Sequence, residues 1–560
     1  MTSVVTAGGV SVTIRGAYGL ADLVDETETV LDRLVSDGVP GSLTSRHAGL
    51  WGPDAARAAT RRLGWLGLPE SSRALLGRLA ELVGEARGAG LDRIVLAGMG
   101  GSSLAAEVIA GAGGAELTVL DTIDPHQVAD VLADRLDRTL VVLSSKSGAT
   151  VETDAHRRVF EQAFAEAGIG GADLRRRFVV VTDPGSPLEA VANAAGYRLV
   201  LADPDVGGRY GALSASGLVP GALAGVDVVR LLDEAAALVP ALQQPYDNPA
   251  LALGAVLGSS ALGGHDKLVI ADNGSGLPGL SGWIEHLVAE STGKDGRGLL
   301  PVVVESVDAP GFEVTGDTRR VVLGSRPDEL GAGRDAGLGV TGPLGAQFLL
   351  WEYATAIACR VLGVDPFDEP DVQESEDNTA ALLRAEEGLA PTVVRTAPAL
   401  VEGAVEVHAG EELLKGAKDL AGVLEAILTA APDRGYLAVM AYLDRFGDAS
   451  AAGFRSLLAE RGAGLRKRAV PVTFGWGPQV LHTTGQYHKG GPQNGAFLQI
   501  TGGVREDVAV PDRPYTLGQL QLAQAFGDLR VLRSLGRPTF RIHLRDRDEG
   551  IAQLTKVLTG

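Results

Sequence analysis

The chain has 560 residues, 45% of them hydrophobic and 21% charged, enough apolar material for three or four domains and too much for a disordered chain. Fifty Lys and Arg against seventy Asp and Glu leave a formal charge of −20, which disfavours a nucleic-acid partner and leaves room only for a local basic pocket for a small anion. The single cysteine, Cys359, cannot make an intrachain disulfide, and no uncharged apolar run reaches the ~18 residues of a membrane span, so a cytoplasmic protein with no membrane contact is expected.

Residues 1–90 read mainly as helix, with Leu75, Leu79, Leu82 and Val83 on one amphipathic face. From residue 91, apolar β-branched runs alternate with helices. Strands are expected at 92–100, 117–122, 139–147, 177–183 and 197–203, with helices at 102–113, 125–136 and 150–167. That alternation predicts a parallel, doubly wound sheet over 91–225. A second such unit, 226–390, is expected to hold strands 267–272, 299–306 and 319–325, helices 280–292 and 345–363, and a polar surface break at 373–378. The last part, 391–560, carries expected strands at 435–442, 469–475 and 539–544. It is read as an α/β extension completing the second domain and the active site. The fold class is α/β.

Several turns carry chemistry. GMGGSS (98–103) joins a strand to a helix, and its glycines let backbone approach a ligand. It lacks the third glycine of a dinucleotide fingerprint. SSKSGAT (144–150) follows another parallel strand; Ser145, Ser147 and Thr150 offer hydroxyls, Lys146 a charge and the next helix its N-terminus, together a phosphate cradle. No Walker pattern is present. GGRYGALSASG (207–217) sets Arg209 in a small-residue loop suited to an oxyanion. AESTGK (289–294) puts Glu290 at a helix C-terminus, which is expected to raise its pKa toward that of a general base. HTTGQYHKGG (482–491) holds His482, His488 and Lys489 at a poor metal spacing, so proton transfer or substrate binding is the better use. Only eight residues are lysine, and Lys146, Lys294 and Lys489 all lie in such turns. Taken singly, each motif also reads as a tight turn or a helix cap.

In this order, GMGGSS, SSKSGATVET, GGRYGALSASG and AESTGK resemble the phosphoglucose isomerases, a family with two sugar isomerase (SIS) domains. The ending LHTTGQYHKGGPQNGAFLQIT, with GQLQLAQAFGDL behind it, resembles the long bacterial branch that also occurs fused to transaldolase; the chain is similar to the isomerase half. The resemblance implies interconversion of glucose 6-phosphate and fructose 6-phosphate, a step of glycolysis and gluconeogenesis. It implies no metal and no organic cofactor, and a homodimer. It places the phosphate on Ser145, Lys146, Ser147 and Thr150, with Gly101, Ser102 and Gly208 near the sugar. The base falls on Glu290 and the enediolate-stabilising arginine on Arg209. Three positions depart from the family pattern: Glu369 stands for Gln, Glu376 for a catalytic Lys and His286 for Gln. These swaps shift ring opening toward His482, His488 and Lys489, with either histidine as the acid. A related isomerase for mannose 6-phosphate or an amino-sugar phosphate is the competing enzyme reading, and a non-catalytic sugar-phosphate sensor the competing class.

Overall fold

The Val-, Ile- and Leu-rich runs between residues 91 and 203 pair with one another. In the computed structural model, which describes residues 2–15, 23–313, 315–325, 337–385 and 397–560, their spatial order is Thr118–Leu120, Arg93–Ala97, Thr139–Ser144, Phe178–Thr182 and Arg198–Leu201, all parallel. Alternate residues serve opposite faces: Ile94, Leu96, Leu140 and Val142 enter one core cluster, and Val95, Ala97, Val141 and Leu143 another. Both faces are therefore covered, as a parallel sheet requires. Each of these Val, Ile and Leu side chains contributes roughly 1.5–3 kcal/mol. Strand order reverses between Arg93–Ala97 and Thr139–Ser144, which opens a crevice at their carboxyl ends. GMGGSS leaves the first of these strands and SSKSGAT the second.

The second sheet holds the parallel strands Gly337–Thr341, Thr318–Gly324, Lys267–Asn273 and Leu300–Val304. Its edge carries an antiparallel hairpin, Thr2–Ala7 with Val10–Arg15, which precedes the helices of residues 23–88 and which the helical reading of residues 1–90 did not include. Gly8 and Gly9 both have positive φ and make the two-residue turn. Val10, Val12 and Ile14 alternate into the core. Helix Leu344–Leu362 is buried on nearly every side, as its apolar surface predicts.

The polar run 373–378 is not a break. It lies inside helix Pro370–Ala385, where Ser375 and Thr379 are buried against Gly527. Small hydroxyl residues at this spacing let two helices approach, while Glu374 and Asp377 face outward. Glu376 belongs to this helix, but its side chain lies outside the described residues.

Residues 397–560 do not add strands to the second sheet. They build a third, in the order Leu400–Glu402, Val405–His408, Thr539–Leu544, Gly495–Gly502, Tyr436–Tyr442 and Val472–Trp476. The last four are parallel and the first two form an antiparallel hairpin on the edge. One face has its own core of Val405, Leu498, Ile542 and Leu554 among others. The other face, with Tyr436 and Phe497, packs on the second unit through Val269 and Val302. Buried charge ties the third unit to the first: Arg547 bridges Asp124 at 2.8 Å and Asp448 at 2.9 Å.

Candidate active site

Four loops meet at the crevice of the first sheet. Gly101 lies so close to the next loop that a Cβ there would stand 2.3 Å from the Gly208 carbonyl oxygen and 2.9 Å from Arg209 N. Gly100, at φ +54°, would place a Cβ 2.8 Å from the His482 carbonyl oxygen. The glycines of GMGGSS thus serve to bring the backbones bearing Arg209 and His482 together.

Helix Leu280–Thr292 delivers Glu290 at its last turn. One carboxylate oxygen lies 2.9 Å from Arg209 Nη1, and the other pairs with Nε2 of His286 one turn back. Arg209 is fully engaged. Nη1 also donates to Glu369 at 2.8 Å, Nη2 to the Asp368 and Pro366 carbonyls at 2.6 and 3.2 Å, and Nε to Pro366 at 3.3 Å. Burial alone would push the Glu290 carboxyl up, but Arg209, His286 and Lys294 outweigh it and hold the group well below the usual carboxylate range. The expected rise at the helix C-terminus is therefore reversed, because a contacting guanidinium exceeds a terminal half-charge. Lys294 is buried behind, paired with Asp368 at 2.6 Å.

Glu290, Glu369, Phe367, Val372 and His482 line a cavity of about 650 Å³ whose mouth carries Arg57, Arg61 and Arg62. A neighbouring cavity of about 400 Å³ is lined by Ser147, Thr150, Glu152, Ser375 and Gln524, again with Val372 and His482. His482 therefore stands between the carboxylate and the hydroxyl-bearing turn. Within that turn Ser145 Oγ lies 2.8 Å from Thr150 Oγ1 and accepts from Gly148 N at 3.1 Å. Lys146 reaches Asp183 at 2.6 Å and shares a small cavity with Ser102 and Gly208.

Two residues assigned from the sequence fall elsewhere. His488 is buried, stacked on Tyr436 and bonded to its hydroxyl at 2.9 Å through Nδ1. Burial, with Lys489 and Arg537, pushes its pKa down to about 3. Lys489 is buried in an ion pair with Asp528 at 2.7 Å. Neither lines the two cavities.

Glu152, in the first turn of helix Val151–Glu166, is buried. Its Oε1 lies 3.2 Å from His482 Nε2 and accepts from Gln524. Burial would raise its pKa, but His482 and Gln524 prevail and lower it. Gln524 comes from helix Leu517–Ser534, which also sends Gln521 to Asp124 at 3.2 Å and Asp528 to Lys489. The signal for this was in GQLQLAQAFGDL: polar residues spaced to share one helix face amid apolar ones. Among the described residues, no group of three or more His, Cys, Asp or Glu could hold a metal ion.

A family model, phosphoglucose isomerase, matches residues 78–295. The probable glucose-6-phosphate isomerase of Natronomonas pharaonis is 37% identical over 216 residues, 38% of this chain and 49% of that protein. The chain thus matches about half the length of that relative and of its Haloarcula marismortui counterpart, each covered to 49%. The glucose-6-phosphate isomerase of Rubrobacter xylanophilus is 31% identical over 416 residues, 62% of this chain and 95% of that one. Among solved structures, a glucose-6-phosphate isomerase from Chlamydia trachomatis shares the fold with a TM-score of 0.57 at 18% identity, covering 70% of this chain and 92% of that one.

Proposed function

The chain belongs to the phosphoglucose isomerase family, and from that premise we propose that it interconverts glucose 6-phosphate and fructose 6-phosphate through a cis-enediol. The observation that carries the reading is the cleft itself, where Glu290 and His482 line one cavity and His482, Ser147 and Thr150 the next. A carbon acid is weakly reactive and must be held against its base, and a phosphate anchored on 145–150 supplies that fixing. His482, its imidazole backed by ionised Glu152, protonates the ring oxygen as the cyclic sugar opens. Glu290 then takes the C2 proton and returns it to C1. Arg209 holds that carboxylate in place and sets fixed positive charge where the enediolate oxygen becomes negative. A sensor would need neither the base nor the acid. Incubating the purified protein with fructose 6-phosphate and assaying glucose 6-phosphate tests the reading; no conversion would overturn it. A homodimer, cytoplasmic placement and the absence of a nucleic-acid partner belong to the same proposal. No helix among the described residues is long and apolar enough to cross a membrane.

The cradle makes its own prediction. Lys146→Ala removes the one ammonium of the turn, a charge-assisted contact of roughly 1.5–3 kcal/mol, so KM should rise about tenfold or more with kcat less affected. An unchanged KM would take Lys146 out of the cradle.

The electrostatics of Glu290 predict a pH response. Its carboxylate is stabilised by Arg209 and His286 in the folded protein, so its folded pKa lies below the unfolded value of about 4.3. The stability this contributes is present above the unfolded pKa and is lost as pH falls through the folded one. Activity follows the same sign: the loss of kcat/KM from protonating Glu290 should fall below pH ~4.3 in the wild type. His286→Gln removes one of the stabilising partners and should move that limb upward. The substrate phosphate titrates identically with both proteins, so the difference between the two profiles isolates Glu290. Coincident profiles would mean that His286 does not stabilise the base.

A further inference from the structure

The third unit carries a basic cavity of its own. It has a volume of about 520 Å³ and lies where helix Leu517–Ser534 turns into strand Thr539–Leu544. Arg533, Arg537, Arg541 and His408 line it, with Glu412 as the one acidic residue of the lining. In a chain of net charge −20, three arginines against one carboxylate mark a local reversal of sign.

None of the three guanidinium groups forms an ion pair among the described residues. Arg541 is 3% exposed, lies 4.9 Å over the Phe526 ring and reaches Thr501 Oγ1 only at 3.5 Å. The nearby Glu406 carboxylate is turned toward His408 at 3.7 Å and Arg545 at 3.8 Å. Arg533 is exposed at the rim and donates Nε to Thr539 at 3.0 Å. Arg537 is 4% exposed; its Nη atoms serve the Lys489, Gly491 and Pro492 carbonyls, while its Nε is buried with no partner. His408 Nδ1 is likewise buried with no partner. Burial, with Arg533 adding, pushes the Arg541 pKa down to about 10. Cations buried without counter-charge are costly unless an anion joins them.

We propose that this cavity is a second anion site, taking a small phosphomonoester whose phosphate sits among Arg533, Arg537 and Arg541 and whose body lies on Phe526. Guanidinium forks match the several oxygens of a phosphate better than a single carboxylate does. A cavity of this volume also admits a sugar- or nucleoside-sized body. The site is separate from the cleft at Glu290, with which it shares no lining residue, and it stands whether or not the chain is an isomerase.

Equilibrium dialysis of the full chain with labelled inorganic phosphate tests it. Two phosphates should bind per chain. One should weaken about tenfold or more in Arg541→Gln and in Arg533→Ala, and the other in Thr150→Ala. Arg533 is exposed, so its variant keeps the test valid should Arg541→Gln fail to fold. Turnover of hexose phosphate by Arg533→Ala should stay at the wild-type rate. Displacement of the second phosphate by fructose 6-phosphate assigns the site to sugar phosphates, and displacement by AMP assigns it to nucleotides; either supports the proposal. A single phosphate per chain, lost in Thr150→Ala, would overturn it. A second phosphate bound equally by wild type and Arg533→Ala would do so too.

Discussion

Glu290→Gln should lower kcat by about 10²-fold or more while substrate still binds. The amide keeps the shape of the side chain but cannot accept the C2 proton. The fold has reason to survive the change. Arg209 Nη1 keeps its contact to Glu369 at 2.8 Å, and its other donors keep the Pro366 and Asp368 carbonyls, so no buried guanidinium is stranded. The charge that Arg209 and His286 stabilise is lost, however, so the unfolding temperature should fall somewhat, and retained substrate binding by the folded variant separates a chemical defect from a structural one. A second readout follows from the route of the proton. In deuterated water the wild type should introduce label at C2 of glucose 6-phosphate, and the variant should introduce it at a rate lowered in step with kcat. Wild-type turnover in the variant would remove Glu290 from the mechanism and leave the cleft without a base.

The parts of the fold legible in the sequence are those decided locally. Strands such as Arg93–Ala97 and Tyr436–Tyr442 are built on apolar runs bounded by glycine or polar residues, and nothing distant is needed to recognise them. The N-terminal hairpin was legible too, since Gly8-Gly9 stands between alternating runs, but a helical reading of residues 1–90 overrode a pattern of period two. What stayed hidden depends on partners far along the chain. Glu152 looks like any acidic residue in a first helical turn. Only Gln524, 372 positions later, and His482, 330 positions later, turn it into a buried partner of an imidazole. His482 and His488 are equally hidden. Both sit in one short glycine-bearing segment, and the difference between them is that one faces a cavity and the other a tyrosine ring. The Glu290 pKa failed for a related reason. The helix C-terminus is visible in the sequence, whereas the contact with Arg209, 81 residues away, is not.

His482→Ala is expected to slow cyclic substrate by about 10²-fold or more while open-chain substrate is affected far less, because general acid catalysis of this kind is worth roughly 10²–10⁴. The geometry singles out His482 within 482–491. It lines both cavities of the cleft and rests on the buried Glu152 carboxylate. Glu152→Gln removes the charge that backs the imidazole, so it should reproduce part of the ring-opening defect with the same bias toward cyclic substrate. His488 and Lys489 should behave differently. His488→Ala empties space beside Tyr436 and takes away the partner of its hydroxyl. Lys489→Ala leaves Asp528 buried without its cation, a change that costs about 3–5 kcal/mol. Both should lower the unfolding temperature, and neither should change the ratio of rates on cyclic and open-chain substrate. Such results would show that Lys489 does not replace the missing family lysine at position 376 and would leave ring opening to the imidazole with its carboxylate. If Lys489→Ala alters that ratio while His482→Ala does not, the acid has been assigned to the wrong end of the turn.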